Sequence, residues 1–221
     1  MIRGAIFDMD GVLVDNNRHH LAAWKALGRE MDRDFSDADI LRLFGQRNRE
    51  ILQALLGRVP SEKELLQYAP RKEALYREIM RPELVSVPGL ADFLANLRAN
   101  SVRTAVATSG PQENLEFVLE GLKVSDLFDV LVTGPEVPRS KPHPDIFVRA
   151  AERLGFPPAE CVVFEDSAPG IQAALKAGCP CVALATTHSR EELKKYGPSL
   201  IVADFRGLRI ESINRLPLPR S

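Results

Sequence analysis

The chain has 221 residues, enough for one large core or a core with a small inserted domain, and its 45% hydrophobic and 27% charged residues are ordinary for a globular protein. A formal net charge of −1 gives no electrostatic reason to expect nucleic acid or an anionic membrane as partner. No apolar run approaches the roughly 18 residues of a membrane span, and the first residues lack a signal-peptide layout.

The odd trio Cys161, Cys179 and Cys181 reads as free thiols in a reducing compartment, so a cytoplasmic location is expected; separately, the chain is expected to be a monomer. Taken in chain order, the first predicted strand is the apolar run Gly4–Phe7. From about 16 to 81 no strand is expected, only helix-like segments at 18–29, Asn48–Leu56 and 61–80, the last interrupted at Pro70. Further strands are predicted at 104–108, Val130–Thr133, Cys161–Glu165, Cys181–Leu184 and Leu200–Val202. Between them, apolar residues recur at helical spacing: Leu90, Phe93, Leu94 and Leu97; Leu115, Val118, Leu119 and Leu122; Ile146, Ala150 and Leu154; Ile171, Ala174 and Leu175. The strands are continuously apolar, as in a parallel sheet covered on both faces. The fold class read from this is α/β, a doubly wound, Rossmann-like parallel sheet with an inserted all-helical cap. The catalytic core spans 1–15 and 82–221 and the cap 16–81, with hinges at 14–16 and 82–88; the tail 216–221 is expected to fray.

In an open α/β sheet, ligands bind outside the carboxyl ends of the strands, so the residues just past each strand matter most. The first strand ends in Asp8-Met-Asp10-Gly11, the second in Thr108-Ser109-Gly110; the third leads to Ser140-Lys141-Pro-His-Pro, and the fourth ends in Glu165-Asp166-Ser167. Each piece alone has an ordinary reading as a turn, a helix cap, a solvated cation or a helix-dipole partner. Together they bring carboxylates, hydroxyls and a lysine to one sheet edge, which suits phosphoryl transfer. That reaction asks for positioning and charge neutralisation, and a hard divalent cation supplies much of the latter. No Gly-x-x-x-x-Gly-Lys loop, Gly-x-Gly-x-x-Gly or Gly-x-Ser-x-Gly stands in the chain.

These four motifs, in this order, resemble those of the haloacid dehalogenase superfamily, and most closely its β-phosphoglucomutase-like phosphatase branch; the likeness covers nearly the whole chain. It implies an Mg²⁺-dependent phosphatase of a small phosphorylated metabolite, a sugar phosphate in particular. It implies Asp8 as the nucleophile that becomes an aspartyl phosphate and Asp10 as the general acid and base, with its main-chain carbonyl on the metal. Thr108, Ser109 and Lys141 would hold the phosphoryl group, while Asp8, Asp10, Glu165 and Asp166 would form the metal site.

Substrate choice is expected in the cap, at His20, Trp24, Gln46, Arg47, Asn48 and Lys72. His20 and Lys72 match a hinge histidine and a cap lysine of that branch. The branch's mutases carry a lysine just before the cap-loop glycine and an arginine three residues after it; here those positions are Phe44 and Asn48. A mutase must grip a second phosphate with a cationic cap contact, so hydrolysis is expected ahead of isomerisation of β-glucose 1-phosphate to glucose 6-phosphate. A non-catalytic phosphate-binding module is the third reading. It fits poorly with the retention of Asp8, Asp10, Lys141 and Asp166 together.

Overall fold

A computed structural model describes residues 1–216. Six parallel strands, β1 (Gly4–Phe7), β2 (Arg103–Thr108), β3 (Val130–Thr133), β4 (Cys161–Glu165), β5 (Cys181–Leu184) and β6 (Leu200–Val202), form one sheet in the order β3-β2-β1-β4-β5-β6. β1 is the pivot: Ile6 lies opposite Ala105 on one side and Val163 on the other. The order reverses there, so the crevice for ligands opens beyond the end of β1. The predicted strands are all present, and β2 begins one residue earlier because the Arg103 N–H bonds the Arg3 carbonyl at 3.0 Å.

Alternate side chains of the buried strands enter different layers. On one face, Phe7 stacks on Phe164 at 4.6 Å, and both meet Phe93 of α5 (Leu90–Ala99) and Phe205. Leu115 and Val118 of α6 (Gln112–Leu122) belong to the same layer. On the other face, Ile6, Ala105 and Val163 pack with Ile146 and Phe147 of α7 (Asp145–Leu154) and Ile171 of α8 (Ala168–Ala177). All three cysteines are buried and unpaired in this second layer. Helices therefore cover both sides of the sheet, the doubly wound arrangement expected from the unbroken apolar runs.

The helical block inserted after β1 consists of α1 (Asn17–Glu30), α2 (Asp37–Leu41), α3 (Asn48–Leu56) and α4 (Glu62–Met80). α4 starts with a reciprocal cap between Ser61 and Glu64 and runs straight through Pro70. The expected interruption does not occur. Pro70 removes the bond to the carbonyl of Leu66, but Leu66 is 78% exposed, so water can serve that carbonyl. α2 was not expected; Ser36 caps it by accepting the Asp39 N–H at 3.1 Å. The two chain crossings into and out of the block are stitched together. Val14 bridges Ser86 antiparallel, and the Val87 N–H bonds the Leu13 carbonyl at 2.9 Å.

Two short helices, α9 (Arg190–Lys194) and α10 (Ile210–Ile213), complete the chain. No helix among the described residues is long and apolar enough to cross a membrane. The tail expected to fray lies, past Leu216, outside the described residues.

Candidate active site

Asp8 is the next residue beyond β1, held in line by its N–H on the Phe164 carbonyl at 2.9 Å, and its side chain is buried. Lys141, on the loop after β3, extends its ammonium to Asp8 Oδ1 at 2.9 Å and Glu165 Oε1 at 2.7 Å. Glu165 Oε2 accepts the N–H groups of Asp166 and Ser167 at 2.7 and 2.8 Å and the Ser167 hydroxyl at 2.9 Å. The Glu165 carboxylate fills the space a Cβ on residue 170 would need, so only Gly170 fits there. Gly11 plays the same part for Asp166, whose carboxylate lies against it while Gly11 itself turns at φ 72°. Asn17 and Thr187 hydrogen-bond Asp166 Oδ2.

Oxygens of Asp8, Glu165 and Asp166 lie within 4.8 Å of one another. Three buried carboxylates against one ammonium leave two negative charges in excess. Burial, opposed by Lys141 and reinforced by Glu165 and Asp10, pushes Asp8 up to about 7. Burial, with the Glu165 and Asp8 carboxylates, also pushes Asp166 well above the usual range. Burial alone would lower Lys141, but Asp8 and Glu165 reverse this and raise it. An all-oxygen pocket two charges short of neutrality fits a divalent hard cation such as Mg²⁺. Glu165 belongs to the acidic group, yet both its oxygens already hold donors from the protein. Asp10 is not one of the converging acids.

Asp10 instead turns its carboxylate to the helical block. Oδ1 receives the Asn16 amide at 2.6 Å and lies 3.1 Å from His20 Nε2. Lys72 Nζ sits 2.7 Å from His20 Nδ1; an ammonium can only donate, so the ring proton is on Nε2 and faces Asp10. Tyr76 lies flat on His20, ring centroids 3.9 Å apart, and accepts from Asn16 at 2.6 Å. Burial pushes Asp10 up, but His20, Asn16 and Lys72 outweigh it and hold the carboxyl below its usual range.

The network continues away from Asp10. Lys72 reaches Glu73 Oε1 at 3.1 Å, Asn48 donates to the same oxygen at 2.7 Å, and Asn114 of α6 donates to Oε2 at 2.6 Å.

These groups line a single cleft. Of the cap residues singled out from sequence, His20, Trp24, Gln46, Asn48 and Lys72 line it, together with Asp8, Asp10, Ser109 and Asp166. Arg47 does not. Its guanidinium turns to the core and donates to the carbonyls of Gly134 and Val137 at 3.2 and 3.1 Å and of Pro138 at 3.3 Å. The Ser109 hydroxyl is likewise committed, to the Gly45 carbonyl at 2.8 Å. Thr108 Oγ1 accepts the Gly110 N–H at 3.0 Å, which leaves its own proton to give.

Sequence reasoning missed Asn16, Asn17, Glu73, Tyr76, Asn114 and Thr187. A signal existed for the α4 members: Leu65, Ala69, Lys72, Tyr76 and Met80 form its inward stripe, and a lysine on an apolar stripe demands a buried partner.

The sequence pattern of the haloacid dehalogenase-like hydrolases matches residues 2–178. Validoxylamine A 7'-phosphate phosphatase of Streptomyces hygroscopicus subsp. limoneus is 33% identical over 87% of this chain and 90% of its own. Phosphorylated carbohydrates phosphatase of Thermotoga maritima is 31% identical over 80% and 82%. The crystal structure of β-phosphoglucomutase from Clostridium difficile superposes with a TM-score of 0.87 at 28% identity, covering 97% of this chain and 96% of that one.

Proposed function

Since this chain belongs to the haloacid dehalogenase-like hydrolases, in their β-phosphoglucomutase-like branch, and is a phosphomonoester hydrolase, we propose that it hydrolyses a small sugar phosphate through an aspartyl phosphate on Asp8. One observation carries the reading: Asp8 lies buried at the switch point of the sheet, with Lys141 on one of its oxygens and two acids beside it. The phosphatases among its relatives supply the substrate class.

In the first half-reaction, Asp8 Oδ2, the oxygen not held by Lys141, attacks phosphorus. The bond from phosphorus to the leaving oxygen breaks, and that oxygen takes a proton from Asp10. In the second, water attacks the same phosphorus and gives its proton to Asp10. The bond from phosphorus to Asp8 then breaks and inorganic phosphate leaves. Lys141 offsets charge on Asp8 and on the phosphoryl oxygens, and the Thr108 hydroxyl donates to one of them. Mg²⁺ held by Asp8 and Asp166, with Glu165 at their side, would further neutralise the transferring group.

Asp10, held ionised by its partners, is set for the second half-reaction, where a carboxylate is the base. A phosphate dianion entering the cleft raises its affinity for a proton, which is the form the first half-reaction needs.

The experiment is Mg²⁺-dependent phosphate release from a panel of sugar phosphates, nucleotides and pyrophosphate by the wild type and by Asp8→Asn. The variant is expected to lose about 10³-fold or more. Undiminished turnover would remove Asp8 as nucleophile. A parallel arm follows glucose 6-phosphate formation from β-glucose 1-phosphate with a bisphosphate primer. Efficient isomerisation with little hydrolysis would replace the phosphatase reading with a mutase.

A further inference from the structure

The helical block and α6 supply one half of the cleft lining, with Trp24, Gln46, Asn48, Lys72 and Glu73 from the block and Asn114 from α6. Lys72 is the single lysine or arginine among the described residues that line the cleft. Its ammonium is already shared between His20 Nδ1 at 2.7 Å and Glu73 Oε1 at 3.1 Å. The nearby arginines are turned elsewhere. Arg47 grips core carbonyls, and Arg77 stands behind Asn114, donating to its Oδ1 at 2.7 Å.

Glu73 is 5% exposed, and donors from Lys72, Asn48 and Asn114 sit on its two oxygens. Burial pushes its carboxyl up, but Lys72 and the two amides hold it below the usual range, so it carries its charge at neutral pH. What remains for a ligand is neutral. The Asn48 carbonyl oxygen and the whole Gln46 amide have no side-chain partner among the described residues, and both face the cleft from half-buried positions. Amides of this kind pair with hydroxyls.

We propose that Glu73 makes this half of the cleft anion-excluding, so that the chain selects monophosphates whose other end is a neutral polyol and rejects bisphosphates and phosphorylated carboxylic acids. The proposal rests on the phosphatase reading above and sharpens it. A second phosphate placed there would meet a fixed carboxylate in a partly dehydrated wall. The one neighbouring cation is already neutralised by that carboxylate. Charges a few ångströms apart under such screening change affinity by about tenfold or more.

The test is competition against p-nitrophenyl phosphate hydrolysis by glucose 6-phosphate, glucose 1,6-bisphosphate and 6-phosphogluconate, with Mg²⁺ in excess. For the wild type, the two doubly anionic competitors are expected to bind at least about tenfold more weakly than glucose 6-phosphate. Glu73→Gln is expected to erase that ratio, and Asn48→Arg, on the half-buried first turn of α3, to invert it for the bisphosphate. The ratio between competitors is unaffected by a general loss of active protein, and Asn48→Arg serves alone if Glu73→Gln does not fold. Equal or tighter binding of the bisphosphate by the wild type overturns the proposal, as does an unchanged ratio in the variants. Absence of p-nitrophenyl phosphate turnover, or its survival in Asp8→Asn, would instead overturn the phosphatase reading.

Discussion

At the end of the sheet, Asp8 and Glu165 share one ammonium with Asp166 beside them, and burial, with the neighbouring acids, forces the Asp8 and Asp166 carboxyls upward. A short distance away in the helical block, Lys72 and Glu73 face each other. The Glu73 oxygens are filled by protein donors, and its carboxyl is held down. Both clusters are buried, yet one is left incomplete and the other is closed on itself. An incomplete cluster stores an unfavourable charge that a ligand relieves on binding, so it belongs where chemistry happens. A satisfied cluster is rigid and fixes the shape and polarity of the wall opposite.

The sharpest way to break this comparison is to remove the one cation of the incomplete cluster. Lys141→Met leaves three carboxylates uncompensated and should lower the stability of the metal-free chain by about 3–5 kcal/mol, read by urea unfolding in EDTA. A change under about 1 kcal/mol would mean that the acids take up protons and the lysine is not what holds them.

A second test uses pH. Asp8 titrates at about 7 in the folded metal-free chain against an ordinary 3.8, so between those values the folded chain keeps a proton that the unfolded chain has released. The corresponding stability is complete below about pH 4 and is lost as pH rises through about 7; Asp166 shifts in the same direction. Mg²⁺ requires the ionised acids, so the rise in Tm it produces should be larger at pH 8 than at pH 5.5. Equal rises at both pH values would show that the cation does not bind at this cluster.

The smallest effect is expected at the seam between block and core. Arg47→Ala removes donors to three carbonyls of the loop leading to Lys141 and should cost about 1 kcal/mol, measured by the same urea unfolding.

The sheet was legible in the sequence because each strand is an unbroken apolar run flanked by turn residues, and because the chemistry-bearing motifs all fall where those runs stop. α2 and α9 were not read. Five residues are too few to display a helical period, and in α2 only Ile40 is buried. Their start signals, Ser36 with Asp39 and Ser189 with Glu192, are present in the sequence. Pro70 misled because the lost bond falls on the exposed face of α4, where Leu66 and Pro70 both lie.

At the site, Asp8, Lys141 and Asp166 were readable from position alone. The partners of Asp10 and Lys72 were not. Glu73 and Tyr76 share α4 with Lys72, but Asn16 precedes α1 and Asn114 stands on α6, so the full set meets only through packing of the block on the core. Arg47 is the instructive miss. Its charge suggested a ligand, but the loop turns its two terminal nitrogens toward core carbonyls, with the Glu50 carboxylate 3.5 Å away.

The antiparallel pairing of Val14 with Ser86 also ties the two crossings to each other. Two separate cords would let the helices wobble about either one. Zipped into a two-ply ribbon, the crossings would bend together along one line, as a door does on its pin. Trp24 and Asn48 would then retrace a fixed arc over Asp8 and return to the same stop after each opening.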